Sequence, residues 1–274
     1  MPRLLLIDNG SSRPDSTLTL RRLAAALAER LDQPVHPVSL QHADKVPEQA
    51  LGGRPADTLE PFLRRALAEG ERDFLALPLF FGPSRALSRF IPDTAAAFEP
   101  EFGPLRVRVA PELCPLPSGE PRLAEILADH VAATAGAAGV PTRRVVLVDH
   151  GSPMPQVTAV RRWLAGRLRE RLGDDVLLEE AVMERRPGPD YDFNGDLLET
   201  VLDRLAESDP AGPVILVMLF LAPGRHAGAG GDIARITAAV GQAHPGFRVH
   251  TTPLVGAHPA LIDILADRAA VGLA

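Results

Sequence analysis

Two histidines stand where short apolar runs end. Val145–Asp149 leads directly into His150-Gly151-Ser152, and the run from Val214 to Leu221 leads into Ala222-Pro223-Gly224-Arg225-His226. A continuous apolar run that stops at glycine and histidine is the pattern of a strand buried on both faces that opens into a loop at its carboxyl end. In an open parallel sheet such ends share one rim, where α/β proteins place their ligands. Neighbouring positions for these two runs in one sheet bring His150 and His226 to a common crevice. Glu184 follows the apolar Ala181-Val182-Met183 and precedes Pro187-Gly188-Pro189, so it adds a carboxylate at the end of another strand. Two imidazoles with one carboxylate make a borderline-hard divalent site that accepts Fe²⁺, Co²⁺, Ni²⁺ or Zn²⁺ and leaves positions open for a substrate. Asp149, by strand alternation, points away from His150 and is not read as a ligand.

Taken singly, a histidine at a strand end is more often a hydrogen-bonded structural group, and a glutamate beside prolines is usually solvated. The chain supplies its own control. Leu4–Leu31 aligns without gaps on Val145–Leu172 at an offset of 141, with 13 of 28 positions identical, among them Asp8/Asp149, Gly10/Gly151, Ser11/Ser152 and Arg21/Arg162. Leu79-Phe80 matches Leu219-Phe220 at an offset of 140, and Pro115–His130 matches Pro253–Arg268 at an offset of 138 with 8 of 16 identical. A period this long is a domain duplication and not a solenoid repeat. Scaffold positions survive in both copies, whereas a site need survive in one. Asn9 stands opposite His150 and Ala86 opposite His226, and the first copy has Ser39, Gln41 and His42 where the second has Glu179, Glu180 and Glu184 around its second strand. Joint loss of both histidines is what a shared site predicts, and independent drift of two packing residues is the competing account. The remaining histidines, His36, His42, His130, His244, His250 and His258, are read as structural or surface groups.

Each half alternates short apolar runs with segments of helical period. Strands are expected near Arg3–Asp8, Val35–Leu40, Phe74–Phe80 and Leu105–Ala110, and again near Arg144–Asp149, Leu177–Met183, Val214–Phe220 and Arg248–Thr252. Helices are expected near Ser16–Leu31, Thr58–Glu69, Arg85–Phe98, Pro121–Ala135, Pro155–Leu172, Asn194–Glu207, Gly230–Ala243 and Pro259–Val271. Single-helix crossovers imply parallel sheets covered on both faces. The fold class is therefore α/β, with two tandem-duplicated domains, residues 1–138 and 142–274, and a cleft between them. Thr134–Pro141, small and breaker-rich, is the expected linker.

A length of 274 residues suits two domains of this size. No apolar run approaches the roughly 20 residues a membrane span needs, and no leader with a cleavage site opens the sequence. A single cysteine, Cys114, excludes an internal disulfide and a Cys-only metal site. These features fit a cytoplasmic protein without a membrane partner. A net charge of −6 argues against nucleic-acid binding. Lys45 is the one lysine among 29 basic residues, a bias that arginine-rich codon usage explains for most of them. There is no Gly-x-Ser-x-Gly elbow, no Walker loop and no Gly-x-Gly-x-x-Gly after the first strand of either half. The Gly10-Ser11 and Gly151-Ser152 turns could hold an anion at a helix start, although tight-turn geometry explains a feature kept in both copies at least as well.

The sequence resembles the class II chelatases of the CbiX/SirB type. The resemblance is carried by Val148–Ser152, by Phe220–His226 followed by Asp232-Ile233, and by Pro253–Pro259 with Leu265–Arg268. The first copy echoes it in Ile7–Arg13 and Leu77–Phe80. It implies ATP-independent insertion of Co²⁺, Fe²⁺ or Ni²⁺ into sirohydrochlorin or a related tetrapyrrole, on the way to cobalamin or siroheme, with the metal as substrate and no further cofactor. It places the metal-binding histidines at His150 and His226 and a carboxylate beside them at Glu184, in the second copy alone. Arg85, Arg185 and Arg225 are suited by charge to the acetate and propionate arms of such a macrocycle. The partners expected are the tetrapyrrole and the ion, for a monomer or homodimer. The competing reading is a protein that carries metal or tetrapyrrole without turning it over.

Overall fold

The structure, a computed structural model, describes all residues 1–274. It contains two four-stranded sheets in which every pairing is parallel. The first is built from β1 (Arg3–Asp8), β2 (Val35–Ser39), β3 (Asp73–Pro78) and β4 (Arg106–Val109), in the order β2-β1-β3-β4. The second is built from β5 (Arg144–Asp149), β6 (Leu177–Val182), β7 (Val214–Met218) and β8 (Val249–Thr251), in the order β6-β5-β7-β8. The helices are α1 (Pro14–Leu31), α2 (Leu59–Ala68), α3 (Ile91–Phe102), α4 (Pro121–Ala138), α5 (Pro155–Leu172), α6 (Leu198–Ser208), α7 (Asp232–Ala243) and α8 (Leu261–Leu273). None is long and apolar enough to cross a membrane.

The central strands are apolar between their ends because both faces are covered. All six residues of β5 and all five of β7 are buried. On one face of the first sheet, Leu5, Ile7, Val38, Phe74 and Ala76 pack against Phe62, Leu63 and Leu67 of α2 and against Ile91 and Phe98 of α3. The second sheet repeats this with Val146, Val148, Leu216 and Met218 against Val201, Leu202 and Leu205 of α6 and Ile233 and Val240 of α7. Burial of such side chains is the main stabilising contribution, about 1.5–3 kcal/mol each.

The chain forms two compact units. One comprises residues 1–118, 222–224 and 259–274, the other residues 119–221 and 225–258. The closing helix of each sequence repeat thus belongs to the unit built on the other repeat's sheet. In the first unit α8 lies against α1 and β3, pinned by Arg30–Asp263 at 3.0 Å and by Arg108 donating to the Gly272 carbonyl at 2.8 Å. In the second unit α4 lies against α5 and β7. The expected linker is corrected in one respect. Thr134–Ala138 is the last stretch of α4, and Gly139, at φ 65°, ends it in the left-handed conformation, because an alanine-rich segment favours helix until a glycine supplies the cap. The helix expected over Arg85–Phe98 opens as a π-turn at Ala86–Phe90 and becomes α-helical at Ile91.

Candidate metal centre

His150 is the first residue beyond β5. Glu184 lies two residues beyond β6, and His226 sits in the loop between β7 and α7. Since β6, β5 and β7 are adjacent, their carboxyl ends form one rim. The chain leaving β6 is tied to the His150 turn by Met183 N–H donating to the Asp149 carbonyl at 2.8 Å and Glu184 N–H to the His150 carbonyl at 3.2 Å. Gly151, at φ 88°, permits this approach, because a Cβ there would lie 2.0 Å from the Glu184 carbonyl oxygen. Gly10 does the same in the first unit, 1.8 Å from the Gln41 carbonyl oxygen. The serines after these glycines accept hydrogen bonds from the backbone two residues on, Ser11 from Arg13 and Ser152 from Met154. The Gly-Ser turns therefore close on themselves.

The three sequence-selected donors meet at this rim. The rings of His150 and His226 lie 4.5 Å apart between centroids, edge to face at 65°. Glu184 Oε1 lies 3.3 Å from His150 Nε2. His150 Nδ1 lies 2.9 Å from the Gly151 carbonyl oxygen and His226 Nδ1 lies 2.6 Å from Asp232 Oδ2. The Asp232 carboxylate accepts, so His226 Nδ1 carries a proton and the neutral ring keeps its lone pair at Nε2, whereas His150 stands between two acceptors, the Gly151 carbonyl at Nδ1 and Glu184 at Nε2. His150 and Glu184 are about half exposed, at 45% and 62% of the side chain, so solvent and ions reach them. Burial lowers the pKa of His226, and the neighbouring His150 lowers it further against the opposing pull of Glu184; the ring is held neutral and available as a donor. No three His, Cys, Asp or Glu side chains are drawn into a ready-made metal cage. The set is open, with Glu184 resting on His150.

Asp149 faces the other way, as alternation required. It is buried, accepts from Arg161 at 2.8 Å and from the Gly151 N–H at 3.0 Å. Arg161 also donates to Glu180 at 3.1 Å and to the Asn194 carbonyl at 2.6 Å. Glu179 is engaged by Arg204. Of the arginines, Arg225 lines a cavity of about 400 Å³ together with Met183, Glu184, His226, Asp232, Arg235 and Ile236. Arg185 is turned to Asp192 at 3.1 Å and to the Gly195 carbonyl at 3.2 Å. Arg85 is exposed at the start of the π-turn, in the first unit. Two features escaped sequence reasoning. Asp232 holds His226, and His130 and His258 form a second ring pair, 5.4 Å apart. Asp232 stood within a quoted motif, but nothing in its spacing showed that it would bond the ring.

A profile of the CbiX family matches residues 3–134 and again residues 144–271, covering nearly the whole chain in two copies. The chain belongs to the CbiX family, the class II chelatases. No curated protein matches the sequence. Among solved structures, the chain resembles SirB from Bacillus subtilis with Fe³⁺, with a TM-score of 0.70 and 17% identity over 98% of this chain and 95% of that one. It resembles the sirohydrochlorin chelatase SirB from Bacillus subtilis subspecies spizizenii in complex with cobalt, with a TM-score of 0.64 and 15% identity over 98% and 94%. It also resembles CbiX, the terminal enzyme for siroheme biosynthesis in denitrifying bacteria, with a TM-score of 0.63 and 20% identity over 99% and 100%. At these identities the likeness is one of fold, and it agrees with the two parallel sheets of this CbiX-family chain.

Proposed function

We propose that this CbiX-family protein inserts a divalent metal ion, Co²⁺ or Fe²⁺ or by the same donor chemistry Ni²⁺, into sirohydrochlorin or a closely related tetrapyrrole, without ATP. The ion is a substrate, and no resident cofactor is invoked. One observation carries this reading. His150 Nε2 lies 3.3 Å from the Glu184 carboxylate, and the His226 ring lies alongside, 4.5 Å away between centroids. Two imidazoles and a carboxylate gathered at a half-exposed rim match the donor set of a divalent ion with positions left open, and His150, His226 and Glu184 would hold it. The open side of such an ion, toward solvent, is where pyrrole nitrogens would replace water.

Insertion binds the metal through pyrrole nitrogens and releases two N–H protons. Glu184, freed from the ion as the macrocycle takes over, is placed to accept one, and either imidazole, once released, can accept the other near neutral pH. Arg225, lining the adjoining cavity, offers a planar fork to a carboxylate arm of the substrate. The stability of the product chelate drives the reaction. The names of the structural neighbours, one holding iron and one cobalt, support the choice of metals.

Purified protein is to be incubated with sirohydrochlorin and Co²⁺, Fe²⁺ or Ni²⁺ while the visible spectrum is followed. Conversion of many equivalents per protein supports a chelatase. Conversion or sequestration that stops at one equivalent identifies a carrier and ends this reading.

A further inference from the structure

His226 hangs on a loop that cannot hold it by itself, since Gly224, Gly228, Gly230 and Gly231 surround it within seven residues of either side and glycine backbone is the least restricted of all. The start of α7 holds it at two points. The Ile233 N–H donates to the His226 carbonyl at 3.1 Å, and Asp232 Oδ2 takes the ring Nδ1 at 2.6 Å. The other carboxylate oxygen of Asp232 is paired with Arg235, one turn further along the helix. Gly231 is fitted to this clamp, because a Cβ there would lie 2.8 Å from the His226 carbonyl oxygen. The first copy, with Ala86 in place of His226, has Pro92 at the position 140 residues before Asp232. The carboxylate is thus absent where the imidazole is absent.

From this geometry we infer that Asp232 is a positioning residue. It fixes His226 as the Nδ1–H tautomer and aims Nε2 at the ion. Arg235 keeps Asp232 oriented and balances its charge, so that the carboxylate accepts from the ring without itself competing for the metal. A carboxylate behind a ligating histidine sets the ring's orientation and raises its basicity as a donor. The inference rests on the proposed metal site, and its primary test needs no metal.

The test is ¹⁵N NMR of protein labelled at histidine, with His226→Ala used to identify the His226 signals among the eight histidines. Metal-free wild type should show the Nδ1–H form alone. Asp232→Ala and Asp232→Asn should show a mixture of tautomers with an unchanged melting temperature. Both variants should bind Co²⁺ about 10 to 100 times more weakly in calorimetric titration. An unaltered tautomer in both variants overturns the inference, as does unaltered Co²⁺ affinity alongside a changed tautomer. A wild type that binds Co²⁺ but converts no tetrapyrrole refutes the chelatase reading and leaves this inference standing.

Discussion

At the scale of single residues, the duplicated halves serve as one another's control. His150→Ala and His226→Ala are each expected to abolish metal insertion while leaving thermal unfolding within a few degrees of wild type, since both rings are partly exposed at the rim. Asn9→Ala, at the matching place in the first copy, should leave insertion intact; kinetic assays of the three variants check this. A second contrast lies beneath the rim. Asp149 is buried beside Arg161, whereas its counterpart Asp8 has Leu20 at the arginine's position and keeps one buried carboxylate oxygen without a hydrogen bond. Burial pushes Asp8 up from 3.8 to about 6, against the opposing hydrogen bonds from Ser39, Gly10 and Ser16. With a folded value above the unfolded one, the folded state retains a proton that the unfolded chain has lost between those two pH values. Stability therefore falls as pH rises through that window, by on the order of 3 kcal/mol in full. Asp8→Asn should raise the denaturation midpoint at pH 7.5 and have little effect at pH 4.

At the scale of elements, the site is made by three neighbouring strand ends and by the glycine that lets two of them meet. Gly151→Ala places a methyl group against the Glu184 carbonyl at a φ that L residues avoid. The left-handed backbone alone costs about 1–2 kcal/mol, and moving Glu184 away adds a loss of metal affinity. Calorimetry of unfolding and of Co²⁺ binding measures both, and a variant equal to wild type in each would contradict the assembly described. Much of this level was legible in the sequence. Arg144–Asp149 and Pro155–Leu172 match the expected bounds residue for residue, because the apolar run Val145–Val148 gives way to Asp149-His150-Gly151 and proline opens the helix. Less legible was the entry to α3, where the expected helix begins as a π-turn. Least legible was the bond from Asp232 to His226, since a side chain's partner across a glycine-rich loop depends on backbone angles that composition does not fix. The donors themselves were legible from their places at the ends of apolar runs, and the first copy's lack of both histidines set them apart from scaffold residues.

At the scale of the whole molecule, the repeats in sequence and the compact units in space differ by one helix each. Sequence could not show this, because α4 and α8 come from segments with 8 of 16 identical residues and the apolar face of either suits either sheet. The consequence is physical interdependence. Cleavage between Gly139 and Arg143, at a protease site placed there, should yield two fragments that remain together in native size-exclusion chromatography, since each retains the helix that closes the other unit. Fragments that separate without denaturant would contradict the exchange. The proposal as a whole turns on where the metal goes. The most direct measurement is a crystal soaked in Co²⁺ and mapped by anomalous scattering at the cobalt edge. The expected result is a single strong peak about 2.1 Å from Nε2 of both His150 and His226, with Glu184 drawn toward it. A map with no peak between those rings, or with cobalt bound elsewhere while they stay bare, would contradict it.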